Sequence, residues 1–306
     1  MKTIWTRPAS VFFLAFFCCA LWGSAAPFIK FGYTLFSIET NAIDQILMFA
    51  GFRFSLAGVL VIAIGSVVCR RPLVPRKEDW IPIGVLAFFQ TAGQYFFYYI
   101  GVAHASGVSA ALITGTGAFI SLLVAALIFR YEKMTVYKSV GCLLGFLGIW
   151  VLNGMRWDVG FAWLGEGLIL ISQFFSAFSA AFIKKYSQSR NAMLLSGYQF
   201  LCGGLLLWTG GRCLGESPIP QASWKGWLVL LYLALVSALA YSIWSYLLKY
   251  NKMSKIGMYQ CWIPLVGVIW SAVLLQEGSQ AFSSFTLFAL VLIILGIGCV
   301  NKEETS

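Results

Sequence analysis

Apolar runs of about twenty residues recur along almost the whole chain, and they leave few folds open. A helix needs about 20 apolar residues to cross roughly 30 Å of hydrocarbon. Inside lipid only helices and closed barrels satisfy their own backbone groups. The runs fall at residues 11–30, 45–68, 80–100, 107–129, 136–153, 165–183, 192–213, 225–248, 255–276 and 282–300. They are joined by short connections. Only 10% of the residues are charged, against about 25% for a water-facing domain. The lipid bilayer is therefore the expected solvent for most of the surface.

The basic residues test the count. Cytoplasmic loops collect Lys and Arg. With a cytoplasmic N-terminus, the inner segments hold sixteen of the 21, from Lys2 and Arg7 through Arg70, Arg71, Arg76 and Lys77 to Lys302. The outer loops hold Arg156, Arg212 and Lys225, and Lys30 and Arg53 fall inside spans. A missed helix would scramble that alternation. Ten spans with both termini cytoplasmic are expected. This pattern explains the net charge of +10 without a nucleic-acid partner. The eight cysteines make no CxxC or Cys/His spacing and read as small apolar residues.

The first run has a second reading. A basic leader, the apolar stretch from Val11 to Trp22 and Ser24-Ala25-Ala26 together follow the layout of a cleaved signal peptide. An internal repeat argues for a span. Ser24 to Lys30 (SAAPFIK) is echoed by Ser179 to Lys185 (SAAFIKK), placing Phe28, Ile29 and Lys30 on Phe182, Ile183 and Lys184. Leu127 to Thr135 matches Val273 to Gln280 with Glu132 on Glu277, and Tyr95 and Tyr98 fall near Tyr241 and Trp244. Two halves of five helices each follow: residues 1–153, an outer linker at 154–164, and residues 165–306. Five is odd, so the second half enters the membrane from the opposite side, as in many secondary transporters. The expected fold is an all-α polytopic membrane protein, ten transmembrane helices in two inverted five-helix repeats.

On these residues the chain resembles the ten-helix, EamA-repeat members of the drug/metabolite transporter superfamily. The motifs are Ala20-Leu21-Trp22-Gly23-Ser24 with Lys30, Arg53-Phe54 with Ala57, and Pro264 thirteen residues before Glu277. Phe119 stands where the first half should carry the matching proline. The resemblance implies a metabolite exporter or exchanger that does not use ATP.

Several side chains are candidates for a pathway. Thr114-Gly115-Thr116-Gly117 interrupts span four, and Tyr259-Gln260-Cys261-Trp262 precedes Pro264 in span nine. Glycine weakens a helix and proline frees a carbonyl. Such flaws either line a pathway or let helices pack closely. Gln90, Gln94 and Tyr98 are spaced by four, on one helical face, which in a span should face the interior. Trp22, Tyr95, Tyr241 and Trp244 add aromatic surface, with interface belts and helix–helix contacts as the alternative. Lys30 either meets substrate or snorkels to the headgroups. Arg53 either offsets a substrate carboxylate or pairs with a helix end. Glu132 and Glu277, at C-terminal helix ends where the dipole disfavours negative charge, are expected to have fixed structural partners, with proton coupling as the alternative. His104, in a short outer loop, is expected to be solvated.

One histidine leaves no material for a His-based triad or metal site, and no phosphate-binding loop is present. No cofactor and no enzymatic activity are expected. The resulting expectation is an alternating-access exporter of small metabolites, apolar or aromatic amino acids first, in the inner (plasma) membrane of a bacterium. A non-transporting partner or sensor subunit and an intramembrane enzyme are the rival classes, and a homodimer stays open.

Overall fold

The computed structural model describes residues 2–131, 133–152, 162–215 and 222–302. Glu132 and most of the expected outer linker, with Arg156, lie outside the described residues. In chain order the main helices are Pro8–Leu35 (α1), Ile43–Val68 (α2), 80–104 (α3), Gly107–Ile128 (α4) and Val136–Leu152 (α5), then Trp163–Ser187 (α6), Ala192–Leu214 (α7), Trp224–Tyr250 (α8), 253–274 (α9) and Ser284–Lys302 (α10). Among the described residues, α1, α2, α4, α6, α7, α8 and α9 contain the seven stretches long and apolar enough to cross a membrane, and α5 and α10 carry shorter apolar helices. α3 runs unbroken through Trp80–Leu86, a wider π-helical turn at Ala87–Gly93, and Gln94–His104.

The outside of the bundle is apolar. Phe13, Val59, Leu143, Leu206, Leu231, Ile269 and Leu295 are all exposed. A soluble surface would not tolerate so much contiguous apolar area. Buried polar groups lie inside, among them Arg53, Gln90, Thr91, Gln173, Gln199 and Ser237. This is a membrane protein's inversion of the usual pattern.

Helix pairing follows from glycine. Without a hydrophobic drive between helices in lipid, small residues that allow close approach decide the contacts. Gly51, Gly58 and Gly65 recur every seventh residue on α2, as do Gly197, Gly204 and Gly211 on α7. A Cβ on Gly58 would sit 2.8 Å from the Gly197 oxygen, and one on Gly51 2.8 Å from the Gly204 oxygen. The two helices therefore run antiparallel with their backbones in contact. The contacts are reciprocal: the first glycine of each set meets the second of the other. α5 and α10 form a similar seam, where Gly296 approaches the Gly141 oxygen.

The remaining packing is reciprocal too. α1 packs on α8 and α9, while α6 packs on α3 and α4. The opening stretch is thus a working part of the bundle: Gly23 lies against Ile263 and Val266 of α9, and the Cys18 thiol donates to the Ala240 carbonyl at 3.4 Å. At one end of the bundle Arg190 pairs with Asp79 at 3.1 Å, and Gln188 donates to the Lys249 carbonyl at 3.0 Å. Asn251 there reaches the Trp5 carbonyl at 2.8 Å. The Lys/Arg-rich connections after α2, α6 and α8 therefore gather with the N-terminal segment at a single end.

Candidate functional site

Two lysines fix the ends of two equivalent helices. Lys30 Nζ donates to the carbonyls of Ala105 at 2.6 Å and Val102 at 3.4 Å, the orphan acceptors at the end of α3. Lys184 Nζ does the same for α8, reaching Asn251 O at 2.7 Å and Leu248 O at 3.4 Å. A cation at a helix C-terminus also meets the negative end of the dipole. Lys30 therefore neither lines the central cavity nor snorkels to the headgroups.

Glu277 was expected to have a fixed structural partner, and the structure gives it two backbone N–H groups. Its Oε1 accepts from Gly107 N at 3.1 Å and its Oε2 from Val108 N at 3.0 Å. The carboxylate ends one helix in sequence but in space sits on the N-terminus of α4, where the dipole favours it. His104 closes α3 instead of lying in a loop. It is half-buried, with Nδ1 2.9 Å from the Ile100 carbonyl and Nε2 3.2 Å from Asn41 Oδ1.

Between the two halves lies a small cavity. α1 contributes Trp22 and Ala25, α2 Arg53, α3 Gln94, Tyr95 and Tyr98, and α4 Thr114. The other half supplies Gln173, Ser176, Ser179, Ala180 and Ile183 from α6, Tyr241 and Trp244 from α8, and Gln260 and Ile263 from α9. The free space is about 60 Å³, roughly four to six times what one water requires.

Its centre is aromatic. The hydroxyls of Tyr95 and Tyr241, 146 residues apart, share a hydrogen bond. The same separation divides Gly51 from Gly197 and Gly58 from Gly204, so equivalent tyrosines of the two halves touch each other. Trp22 packs 4.9 Å from Tyr241 and 4.8 Å from Trp244 between ring centres. The Trp22 indole N–H and the Gln94 amide oxygen are buried without hydrogen-bond partners.

Arg53 is the charged group of this site, 1% exposed. Its Nε donates to the Leu233 carbonyl at 3.0 Å, Nη1 to Tyr99 Oη at 2.6 Å and Nη2 to Ser237 Oγ at 3.0 Å. The guanidinium carbon lies 4.9 Å from the centre of the Phe54 ring and 5.9 Å from that of Tyr95, adding cation–π attraction of about 0.5–2 kcal/mol each. These partners hydrogen-bond the cation but carry no negative charge. Leu233 lies well inside α8, so its carbonyl is not the helix end considered for Arg53. No carboxylate lines the cavity among the described residues.

Eight of the pathway candidates meet at the cavity: Trp22, Gln94, Tyr95, Tyr98, Thr114, Tyr241, Trp244 and Gln260. Gln90 does not, because the π turn at Ala87–Gly93 holds more residues per turn than an α-helix and rotates Gln90 off the face of Gln94 and Tyr98. Its amide is buried, with both polar atoms unpartnered. Thr116 marks a break between two helical segments of α4 and donates to its own Ile113 carbonyl at 2.6 Å. Pro264 packs on Gly115, where a Cβ would come within 2.7 Å of the ring. The two helix flaws are thus partly each other's packing partner. Tyr259 and Trp262 turn away to Phe12 and Phe16 of α1, at 5.9 and 5.0 Å.

The α6 wall was the part that residue-by-residue reading missed. The signal was available: with Lys30 aligned on Lys184, Trp22 and Ala25 fall on Ser176 and Ser179.

The sequence model of the EamA-like transporter family matches twice, over residues 9–154 and 163–302. Uncharacterized transporter YvbV of Bacillus subtilis is 24% identical over 94% of this chain and 90% of its own length. Uncharacterized inner membrane transporter YedA of Escherichia coli is 27% identical over 90% and 88% respectively. A protein of known crystal structure superposes with a TM-score of 0.71 at 18% identity, covering 96% of this chain and 98% of its own. That last likeness concerns the fold alone.

Proposed function

The chain belongs to the EamA-like transporter family, and from that premise we propose that it is a secondary exporter of small metabolites, apolar and aromatic amino acids foremost. It works by alternating access between two inverted five-helix halves, ten spans in all. It sits in a bacterial inner membrane with both termini cytoplasmic.

The observation that carries this reading is the cavity, built from both halves with the Tyr95–Tyr241 pair at its centre. A residue that touches its own counterpart lies on the axis relating two copies. Antiparallel α2 and α7, with their crossed glycine contacts, fit an axis in the membrane plane. Rocking about that axis would open the cavity to either side in turn. At about 60 Å³ it must widen to admit an amino acid. The end that gathers the Lys/Arg-rich loops would be cytoplasmic.

The test is uptake of labelled tyrosine, phenylalanine, leucine and threonine into proteoliposomes, with and without a pH gradient. Saturable flux that falls when Gln94 or Trp244 is replaced by alanine supports the reading. Absence of flux above empty liposomes, with folded protein, removes these amino acids as substrates.

A further inference from the structure

We propose that the cavity selects monoanions, specifically 2-hydroxy carboxylates with an apolar or aromatic body, over the zwitterionic amino acids of the same shape. The inference rests on the transport reading for its site and departs from it in substrate class, making the amino acids the weaker ligands.

The argument is one of charge balance. Arg53 is permanently protonated, lines the cavity and is 1% exposed. A guanidinium has five N–H groups, and the three bonds to Leu233, Tyr99 and Ser237 engage three of them. Those acceptors and the Phe54 and Tyr95 rings stabilise the ion without neutralising it. A buried cation in a span is costly until an anion joins it. A carboxylate can take two guanidinium N–H groups side by side and bring the local charge to zero. A zwitterion would bring a carboxylate and an ammonium together, leaving the site with a net positive charge. With no acid in the cavity among the described residues, the ammonium would find no counter-charge there.

The neutral polar groups refine the choice. The buried Trp22 indole N–H lacks an acceptor, and the Gln94 oxygen lacks a donor. A carboxylate oxygen suits the first, and a single hydroxyl suits the second. A 2-hydroxy acid carries both on adjacent carbons. The rings of Trp22, Tyr241 and Trp244 stand 4.8–4.9 Å apart where they meet, an apolar wall for the rest of the molecule.

The experiment compares three probes with one aromatic body: phenyllactate, phenylalanine and phenethylamine. Binding to the full-length purified protein is read by radioligand competition, and flux is read separately in proteoliposomes. Phenyllactate should bind at least about tenfold more tightly than phenylalanine, since close buried charge pairs contribute that much or more. Phenethylamine should be weakest. R53Q should abolish the order, and R53K, which keeps the charge, should retain it in part. The comparison on unaltered protein stands even if R53Q does not fold. Equal or tighter binding of phenylalanine would overturn the charge selection while leaving transport intact. Ordered binding without flux of any probe would support the selection and count against the transporter reading. Binding of none of the three would overturn the proposal.

Discussion

Replacing Lys30 with methionine should destabilise the fold and leave substrate affinity unchanged. The ammonium bonds the Ala105 and Val102 carbonyls at 2.6 and 3.4 Å, closing the C-terminal end of α3. A charge-assisted hydrogen bond of this kind contributes about 1.5–3 kcal/mol. Methionine fills much of the same volume, so packing loss is small. It also relieves the cost of burying a half-buried ammonium, which offsets part of the loss. Glu277 then loses the attraction of a nearby cation. The net expectation is about 2 kcal/mol. Thermal unfolding in detergent would show a Tm lower by several degrees. KM in proteoliposomes should stay within about twofold of the unaltered protein, because uniform binding contacts are untouched. Lys184→Met should lower Tm comparably through α8. The reasoning is refuted if Lys30→Met leaves Tm in place and raises KM, since Lys30 would then belong to the pathway.

Three further outcomes follow from the geometry. Gly58→Leu should push α2 off α7, because even a Cβ would lie 2.6 Å from the Leu201 nitrogen. Overpacking of this kind costs about 1–3 kcal/mol or more, visible as loss of a monodisperse peak in size-exclusion chromatography. Glu277→Gln should lower Tm by about 2–3 kcal/mol equivalent, as an amide accepts through one oxygen where the carboxylate now holds two backbone N–H groups. An unchanged Tm would mean that the α4 terminus is held by something else. Gln260→Ala should reduce flux and Tyr259→Phe should not, since Gln260 alone of the two lines the cavity; labelled-substrate uptake decides it.

Much of this arrangement was legible in the sequence because lipid restricts the backbone so strongly. Long apolar runs had to be helices, and the echo of Phe-Ile-Lys tied the two halves together. What stayed hidden depended on where helices meet. Lys30 looked like a pathway or snorkelling charge because its partners at the end of α3 lie far away in sequence, and for the same reason the partner expected for Glu277 could not be named as the start of α4. Gln90 was placed on the right face for an α-helix but on the wrong one for the π turn that forms. Such a wide turn leaves no sequence mark as plain as a proline. The glycine heptads of α2 and α7 were in plain view, but only the structure gives them a partner.

The two halves differ where the chemistry is. Scaffold positions are duplicated: Lys30 with Lys184, Tyr95 with Tyr241, and the glycine sets of α2 and α7. Apart from that central tyrosine pair, cavity positions differ between the halves. At the separation that relates Tyr95 to Tyr241, Arg53 corresponds to Gln199, Gln94 to Ala240 and Tyr98 to Trp244. Gln199 is itself buried, its oxygen accepting from the Thr91 hydroxyl. A second arginine at the Gln199 position would bury another cation in the bundle, and like charges repel strongly in a low-dielectric interior. With Arg53 lining the cavity from one half and, among the described residues, no cation lining it from the other, the cavity's charge lies to one side. Under the proposed charge selection, a ligand would lie with its anionic end toward Arg53 of α2 whichever side the cavity opened to. In the proposed transporter the duplicated lysines and glycines would serve the motion, while the unmatched cavity residues would hold the ligand.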